Sequence, residues 1–246
     1  MKRHNRLKRL LSLIFILLLP IGGGIAYLSD YYRTDTAAAA AFVPDKAVPE
    51  TVLFDGAVAY GAPDAEVGFL FYPGGKVEYT AYAPLLRQLA AQDILCVLLK
   101  MPCNLAVLDS NAADGIREYF PGVERWYIGG HSLGGSMAAY YAQAHAQELE
   151  GLILLGAYSS KDLSQSGLRV LSVLGSEDGV LNREKYAEYQ TNLPAGWSET
   201  AIKGGCHAYF GMYGTQKGDG IPVLSAEEQI RLSAECISEF IFREEN

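Results

Sequence analysis

Ser132 lies in Gly130-His131-Ser132-Leu133-Gly134, and the residue types around it are those an acyl-accepting hydroxyl requires. Residues 125–129, Arg-Trp-Tyr-Ile-Gly, are aromatic and β-branched and read as a buried strand. Residues 136–147 are rich in Ala, lack Gly and Pro, and read as a helix. A serine between the two sits on a sharp, strained turn, with small residues two before and two after to keep neighbouring chains clear. This G-x-S-x-G elbow lifts Oγ above a sheet edge and aims the next N–H at a developing oxyanion. A hydroxyl attacks only when a base takes its proton. The chain has four histidines. His4 lies in a basic N-terminal tract, His131 should point away from its neighbour's Oγ and pack or bond locally, and His145 sits between Gln143 and Gln147 on the expected helix. His207 remains, in a Gly-rich loop (Lys203-Gly204-Gly205-Cys206-His207) after the strand-like residues 197–202.

An imidazole working as a base needs an acid that fixes its tautomer and steadies the imidazolium. Residues 169–174 form an apolar strand that ends in Gly175-Ser176-Glu177-Asp178-Gly179. A carboxylate just past a strand's C-terminal end lands on the rim where open α/β sheets place their sites. Asp178 is the expected acid and its neighbour Glu177 the alternative; Asp162 and Asp219 follow no strand-like run directly and are weaker. The competing role for Asp178 is to cap the helix that starts near Asn182. For the oxyanion, residues 68–72 read as a strand followed by Pro73-Gly74-Gly75-Lys76, where glycines let a backbone amide approach substrate closely. The expected donors are the N–H groups of Leu133 and Gly75, with Lys76 the neighbouring possibility. The chain order Ser132, Asp178, His207 is the one found in α/β-hydrolases.

These residues resemble the α/β-hydrolase superfamily. Tyr72-Pro73-Gly74-Gly75-Lys76-Val77, with Lys100-Met101-Pro102 and Asn104-Leu105-Ala106-Val107, is similar to the bacterial membrane-tethered alpha/beta hydrolase fold-5 group, loosely called dienelactone-hydrolase-like. The resemblance spans about residues 50–242. It implies hydrolysis of an ester-like bond through an acyl-enzyme, with Ser132, Asp178 and His207 as the triad. Ser132 stands where dienelactone hydrolases carry cysteine, and Tyr209 and Met212 stand where members of the group tend to carry polar residues. Acyl transfer to an acceptor other than water would use the same triad. A catalytically idle binding module of the cell envelope would use the same fold.

The elements that must position these groups alternate along the chain. Residues 51–60 read as a hairpin, 68–72, 94–99, 125–129, 151–155, 169–174 and 197–202 as strands. Helices are expected over 82–92, 112–119 and 136–147, from near Asn182, and from Ser225 onward. Continuous apolar strands separated by amphipathic helices predict an α/β fold, a mostly parallel sheet covered on both faces. Only residues 157–168 separate the strand after the elbow helix from the next one, too few for a cap domain, so an open, shallow site for a small or exposed acyl ester is expected.

Ahead of this domain, Lys2, Arg3, Arg6, Lys8 and Arg9 precede 19 uncharged residues, 10–28. That run is long enough to cross a bilayer, and the basic flank would stay cytoplasmic. Residues 1–28 are therefore expected to be a membrane anchor or a cleaved signal peptide, the latter suggested by Pro20, Gly22 to Gly24 and Ala26. Residues 29–49 are expected to be a tether and 50–246 the catalytic domain, outside the cytoplasm. Without its first 28 residues the chain loses five of 20 basic groups and none of 28 acidic ones, leaving a net charge of −13. That excess disfavours nucleic acid and anionic lipid as partners of the domain and limits membrane contact to the N-terminal segment. Cys96 and Cys236 read as core residues. Cys103 and Cys206 both follow strands, and an oxidising compartment would permit their pairing, although spacing alone does not bring them together. No CxxC pair, histidine cluster or dinucleotide fingerprint is present, so neither a metal nor a cofactor is expected.

Overall fold

The computed structural model describes residues 22–24 and 27–243. The chain divides into two units, Met1–Tyr31 and Tyr32–Asn246. In the first, residues 22–24 and 27–29 are helical; most of the apolar run 10–28 lies outside the described residues. Among the described residues no helix is long and apolar enough to cross a membrane.

The second unit is built on an eight-stranded sheet in the order β1-β2-β4-β3-β5-β6-β7-β8. Its strands are β1 Glu50–Val52, β2 Val58–Tyr60, β3 Val67–Tyr72, β4 Ile94–Leu98, β5 Arg125–His131, β6 Gly151–Leu155, β7 Arg169–Gly175 and β8 Ser198–Ile202. β1 and β2 form the expected antiparallel hairpin and β2 pairs antiparallel with β4; all other pairings are parallel. Every residue of β3, β4 and β6 is buried, which is why these strands are continuously apolar rather than alternating. Within β3 the pleat sends Phe69 and Phe71 into the core beneath one layer of helices and Leu70 and Tyr72 into the core beneath the other.

The first layer holds α2 (Ala83–Ala90) and α5 (Ala226–Phe242) and the second α3 (Leu133–Ala144); α1 is Thr36–Ala41 and α4 Arg183–Tyr189. Ser225 caps α5 by accepting from Glu228 N–H, and Asn182 caps α4 by accepting from Lys185 N–H. Three expectations need correction. Residues 112–119 are turns and one 3₁₀ segment, Ile116–Tyr119, because Gly115 takes a left-handed φ of 75° and interrupts the helix. The elbow helix begins at Leu133, not Ser136, and ends at Ala144. Of the segment read as tether, residues from Tyr32 onward pack on the domain: Tyr32 bridges Val77, α1 buries Ala39, and Asp35 N–H donates to the Met212 carbonyl. Residues 156–168 contain no helix or strand.

Candidate active site

Parallel pairing brings the C-terminal ends of five strands into line. Tyr72 pairs with Gly130, His131 with Leu155, Leu155 with Val173, and Gly175 with Ile202. The residues that follow these ends, from the Pro73, Ser132, Gly156, Ser176 and Lys203 loops, therefore share one rim.

Ser132 sits at the β5–α3 junction with φ 53° and ψ −123°, a conformation few non-glycine residues adopt. Its N–H is pinned to the Leu155 carbonyl at 2.9 Å. The flanking glycines are needed for contact as much as for flexibility. A Cβ on either Gly130 or Gly134 would collide with the Tyr72 carbonyl, so the elbow can lie this close to β3 only without those side chains.

His207 and Asp178 meet across the ends of β7 and β8. His207 Nδ1 and Asp178 Oδ2 are 2.8 Å apart, with both side chains buried. The other carboxylate oxygen, Oδ1, accepts from Val180 and Leu181 N–H at 2.9 and 2.8 Å, which fixes the carboxylate plane. Asp178 therefore does not cap α4, whose cap is Asn182. His207 Nε2 is buried and has no hydrogen-bond partner. His207 lines a cavity of about 260 Å³ together with Ser132, Leu133, Ser136, Gly156, Ala157, Tyr158, Val180, Leu181 and Asn182. Gly156, at φ 51°, closes the cavity beside the pair: a Cβ there would stand 3.0 Å from His207 Nδ1 and 3.2 Å from Asp178 Oδ2.

The remaining acids stand elsewhere. Glu177 accepts from Ser176 Oγ, Asp162 accepts from Ser164 N–H, and Asp219 bonds to main-chain amides, not to the imidazole. In the Pro73 loop, Lys76 N–H is already donated to the Asn104 carbonyl at 2.8 Å, which removes it as an oxyanion donor. Gly74 N–H is likewise taken, by the Tyr82 hydroxyl at 3.1 Å. Gly75 packs against Leu133; a Cβ on it would come within 2.8 Å of Leu133 Cδ2. The glycine expected to supply one donor thus touches the residue expected to supply the other.

Three features of the site were not legible beforehand. His131 does pack locally, but it packs on His207, with ring centroids 4.4 Å apart. Its Nδ1 lies 2.8 Å from the Tyr82 hydroxyl, so Gly74, Tyr82 and His131 form one chain from the Pro73 loop to the elbow. Burial, and then the neighbouring His207, hold the His131 imidazole well below the usual histidine range, so it is neutral. Third, Asp219 spans the loops of Asp178 and His207. Such contacts link residues far apart in sequence and leave no local pattern. Cys206 is buried, its thiol pushed up to about 12 chiefly by burial, while Cys103 is exposed, and the two are not bonded. Among the described residues no group of three or more His, Cys, Asp or Glu is disposed to hold a metal ion.

A parallel sheet with a strained serine elbow and a buried histidine–aspartate pair on its C-terminal rim defines an α/β hydrolase architecture. The sequence pattern of the alpha/beta hydrolase family matches residues 68–231, and the chain belongs to that family. No curated protein matches it. Among solved structures it is similar to a predicted CIB-like hydrolase from Thermoplasma acidophilum (TM-score 0.55, 17% identity, 78% of this chain and 99% of the other). It is also similar to an esterase from Pyrobaculum calidifontis (0.54, 15%, 84% and 91%) and to a dienelactone hydrolase from Anabaena variabilis (0.57, 13%, 79% and 97%). At these identities the likeness is one of fold. Membership of the alpha/beta hydrolase family places the chain among hydrolases.

Proposed function

We propose that this hydrolase is a serine esterase whose triad is Ser132, His207 and Asp178. The observation that carries the reading is the shared cavity: a strained serine and a histidine whose free Nε2 is buried line the same 260 Å³ space. A buried imidazole nitrogen left without a partner costs stability, and a cost of that kind calls for an explanation such as a catalytic role. In the first step Ser132 Oγ bonds to the ester carbonyl carbon and its proton passes to His207 Nε2. Asp178 holds Nδ1–H and stabilises the imidazolium. The negative oxygen that forms is held by Gly75 and Leu133 N–H. Collapse breaks the bond to the leaving alkoxide, which takes the proton from Nε2. Water, deprotonated by the same nitrogen, then releases the acid and restores Ser132.

The cavity supports a choice of acyl group. Leu133, Ala157, Tyr158, Val180 and Leu181 supply an apolar lining free of charged side chains, and about 260 Å³ lies below the range of drug-sized pockets. Short, uncharged acyl groups fit, and with no cap over residues 156–168 the alcohol part extends into solvent. The basic flank and uncharged run of residues 1–28 support attachment to a membrane with the domain outside the cytoplasm.

Fluorophosphonate labelling of the full chain tests the reading, beside Ser132→Ala and His207→Ala. Wild type should label, the serine variant should not, and the histidine variant should label at least about 100-fold more slowly. On a series of 4-nitrophenyl esters, kcat/KM should peak at two to four acyl carbons. A folded wild type that resists the probe would remove the serine mechanism and bring the binding-module reading forward. Ester exchange with added alcohol exceeding hydrolysis would favour acyl transfer.

A further inference from the structure

Between the His207 loop and α5 runs a stretch without regular structure, and in it the Asp219 carboxylate receives four main-chain N–H groups. Oδ1 accepts from Gly179 and His207 at 3.1 Å and from Gly220 at 2.8 Å; Oδ2 accepts from Ala208 at 2.8 Å. One side chain thus grips the residue after the triad acid, the histidine itself and the residue after it. The fit around the carboxylate is tight. A Cβ on Gly179 would lie 2.7 Å from the Gly218 carbonyl, and one on Gly220 would collide with the Glu177 carbonyl.

The two loops leave different strands and are already joined on the strand side of the site, where Glu177 N–H donates to Gly205 O and Gly204 N–H to Ser176 Oγ. On the far side of Asp178 and His207 the link runs through Asp219. We propose that Asp219 is a positioning residue that holds the Asp178 and His207 loops in the register their 2.8 Å hydrogen bond requires. The proposal rests on the triad reading above. A hydrogen bond between side chains on separate loops tolerates little relative movement, and a displacement of 1 Å is worth about 100-fold in rate. Burial works against ionisation of Asp219, but the amides of Ala208, Gly179 and His207 and the Cys206 thiol outweigh it and hold its carboxyl below the usual range. It therefore remains a full acceptor at neutral pH.

Asp219→Asn keeps the shape but turns one acceptor into a donor facing amide N–H groups; Asp219→Glu keeps the charge and both acceptors. We expect Asp219→Asn to lower kcat for a short ester by about 10- to 100-fold with KM within about twofold, and Asp219→Glu to recover part of the loss. A second readout needs no turnover: the low-field proton resonance of His207 Nδ1–H, identified by its loss in Asp178→Asn, should shift or broaden in Asp219→Asn. If both Asp219 variants retain wild-type kcat and an unmoved resonance at matched folded fraction, the proposal falls, and Asp219 only fastens a loop. If wild type neither labels nor turns over ester but the resonance still moves in Asp219→Asn, the positioning role stands and the esterase reading fails.

Discussion

The two ends of the parallel strands solve the same packing problem differently. The N-terminal end holds the larger hollow, about 510 Å³ lined by residues such as Leu168, Arg169, Trp197 and Phe240. Its polar groups are satisfied: the Arg169 guanidinium donates to the Tyr127 hydroxyl and to the carbonyls of Phe240 and Ile241, closing the C-terminal end of α5. The C-terminal end has about half that volume, yet it concentrates strain and unmet hydrogen-bonding capacity. Four of the non-glycine residues with positive φ, Lys76, Cys103, Asn104 and Ser132, lie in its loops, and both buried, unpartnered histidine nitrogens are there. Volume is a poor guide to chemistry here, and conformational cost is a better one.

Substitutions at the two ends should separate accordingly. The largest effect is expected from Asp178→Asn, which leaves the imidazole in the wrong tautomer and should lower kcat by about 10⁴-fold, measured by steady-state ester hydrolysis. Arg169→Met should do the reverse. It removes the donor to the Phe240 carbonyl and leaves the Tyr127 hydroxyl only its bond to the Ile241 carbonyl, costs about 2 kcal/mol in urea unfolding, and leaves kcat per folded molecule unchanged; a drop in kcat would break the contrast. Ser132→Gly sharpens it further. Relieving the positive φ should raise stability by about 1 kcal/mol while labelling is lost, so a destabilised Ser132→Gly would mean that the elbow stores no strain.

A further expected effect concerns pH. His131 is held neutral in the folded chain, whereas in the unfolded chain it binds a proton near the ordinary 6.5. The stability it contributes is present above that pH and is lost as pH falls below it, by up to about 1.4 kcal/mol per unit. His131→Phe should flatten this decline between pH 6.5 and 5.5 in chemical denaturation. Equal slopes would show that groups other than His131 dominate the acid response.

The strands and the loops that carry the candidate residues are legible in the chain because both are tied to local pattern. Strands buried on both faces must be continuously apolar, so β3, β5 and β7 are plain, and Ser132 and Asp178 stand just beyond such runs, whereas His207 follows the alternating strand β8. Helix ends were less legible. Gly134 and Gly135 look like helix breakers, but α3 starts before them, because only glycine lets this helix lie against the Tyr72 carbonyl and Ala157. Gly115 acted in the opposite sense and ended a helix that composition favoured. Asp219 offers itself in the sequence only as an alternative acid, since a carboxylate that binds distant amides has no sequence signature. The Ala-rich stretch near residue 38 read as tether because its partners lie far along the chain.

That stretch alters what counts as the smallest working unit. Tyr32 N–H donates to the Lys76 carbonyl, Glu78 N–H to the Tyr32 carbonyl, and Thr34 N–H to the Glu78 carboxylate, while Asp35 N–H reaches Met212, beyond His207. A few residues outside the sheet therefore staple the glycine loop to the histidine loop. A chain cut back to residue 50 would retain all eight strands and the residues of the proposed triad, yet the Pro73 and His207 loops would lose these braces. The folded unit therefore begins at Tyr32, well ahead of the first strand, and a truncation chosen by counting strands would cut into it.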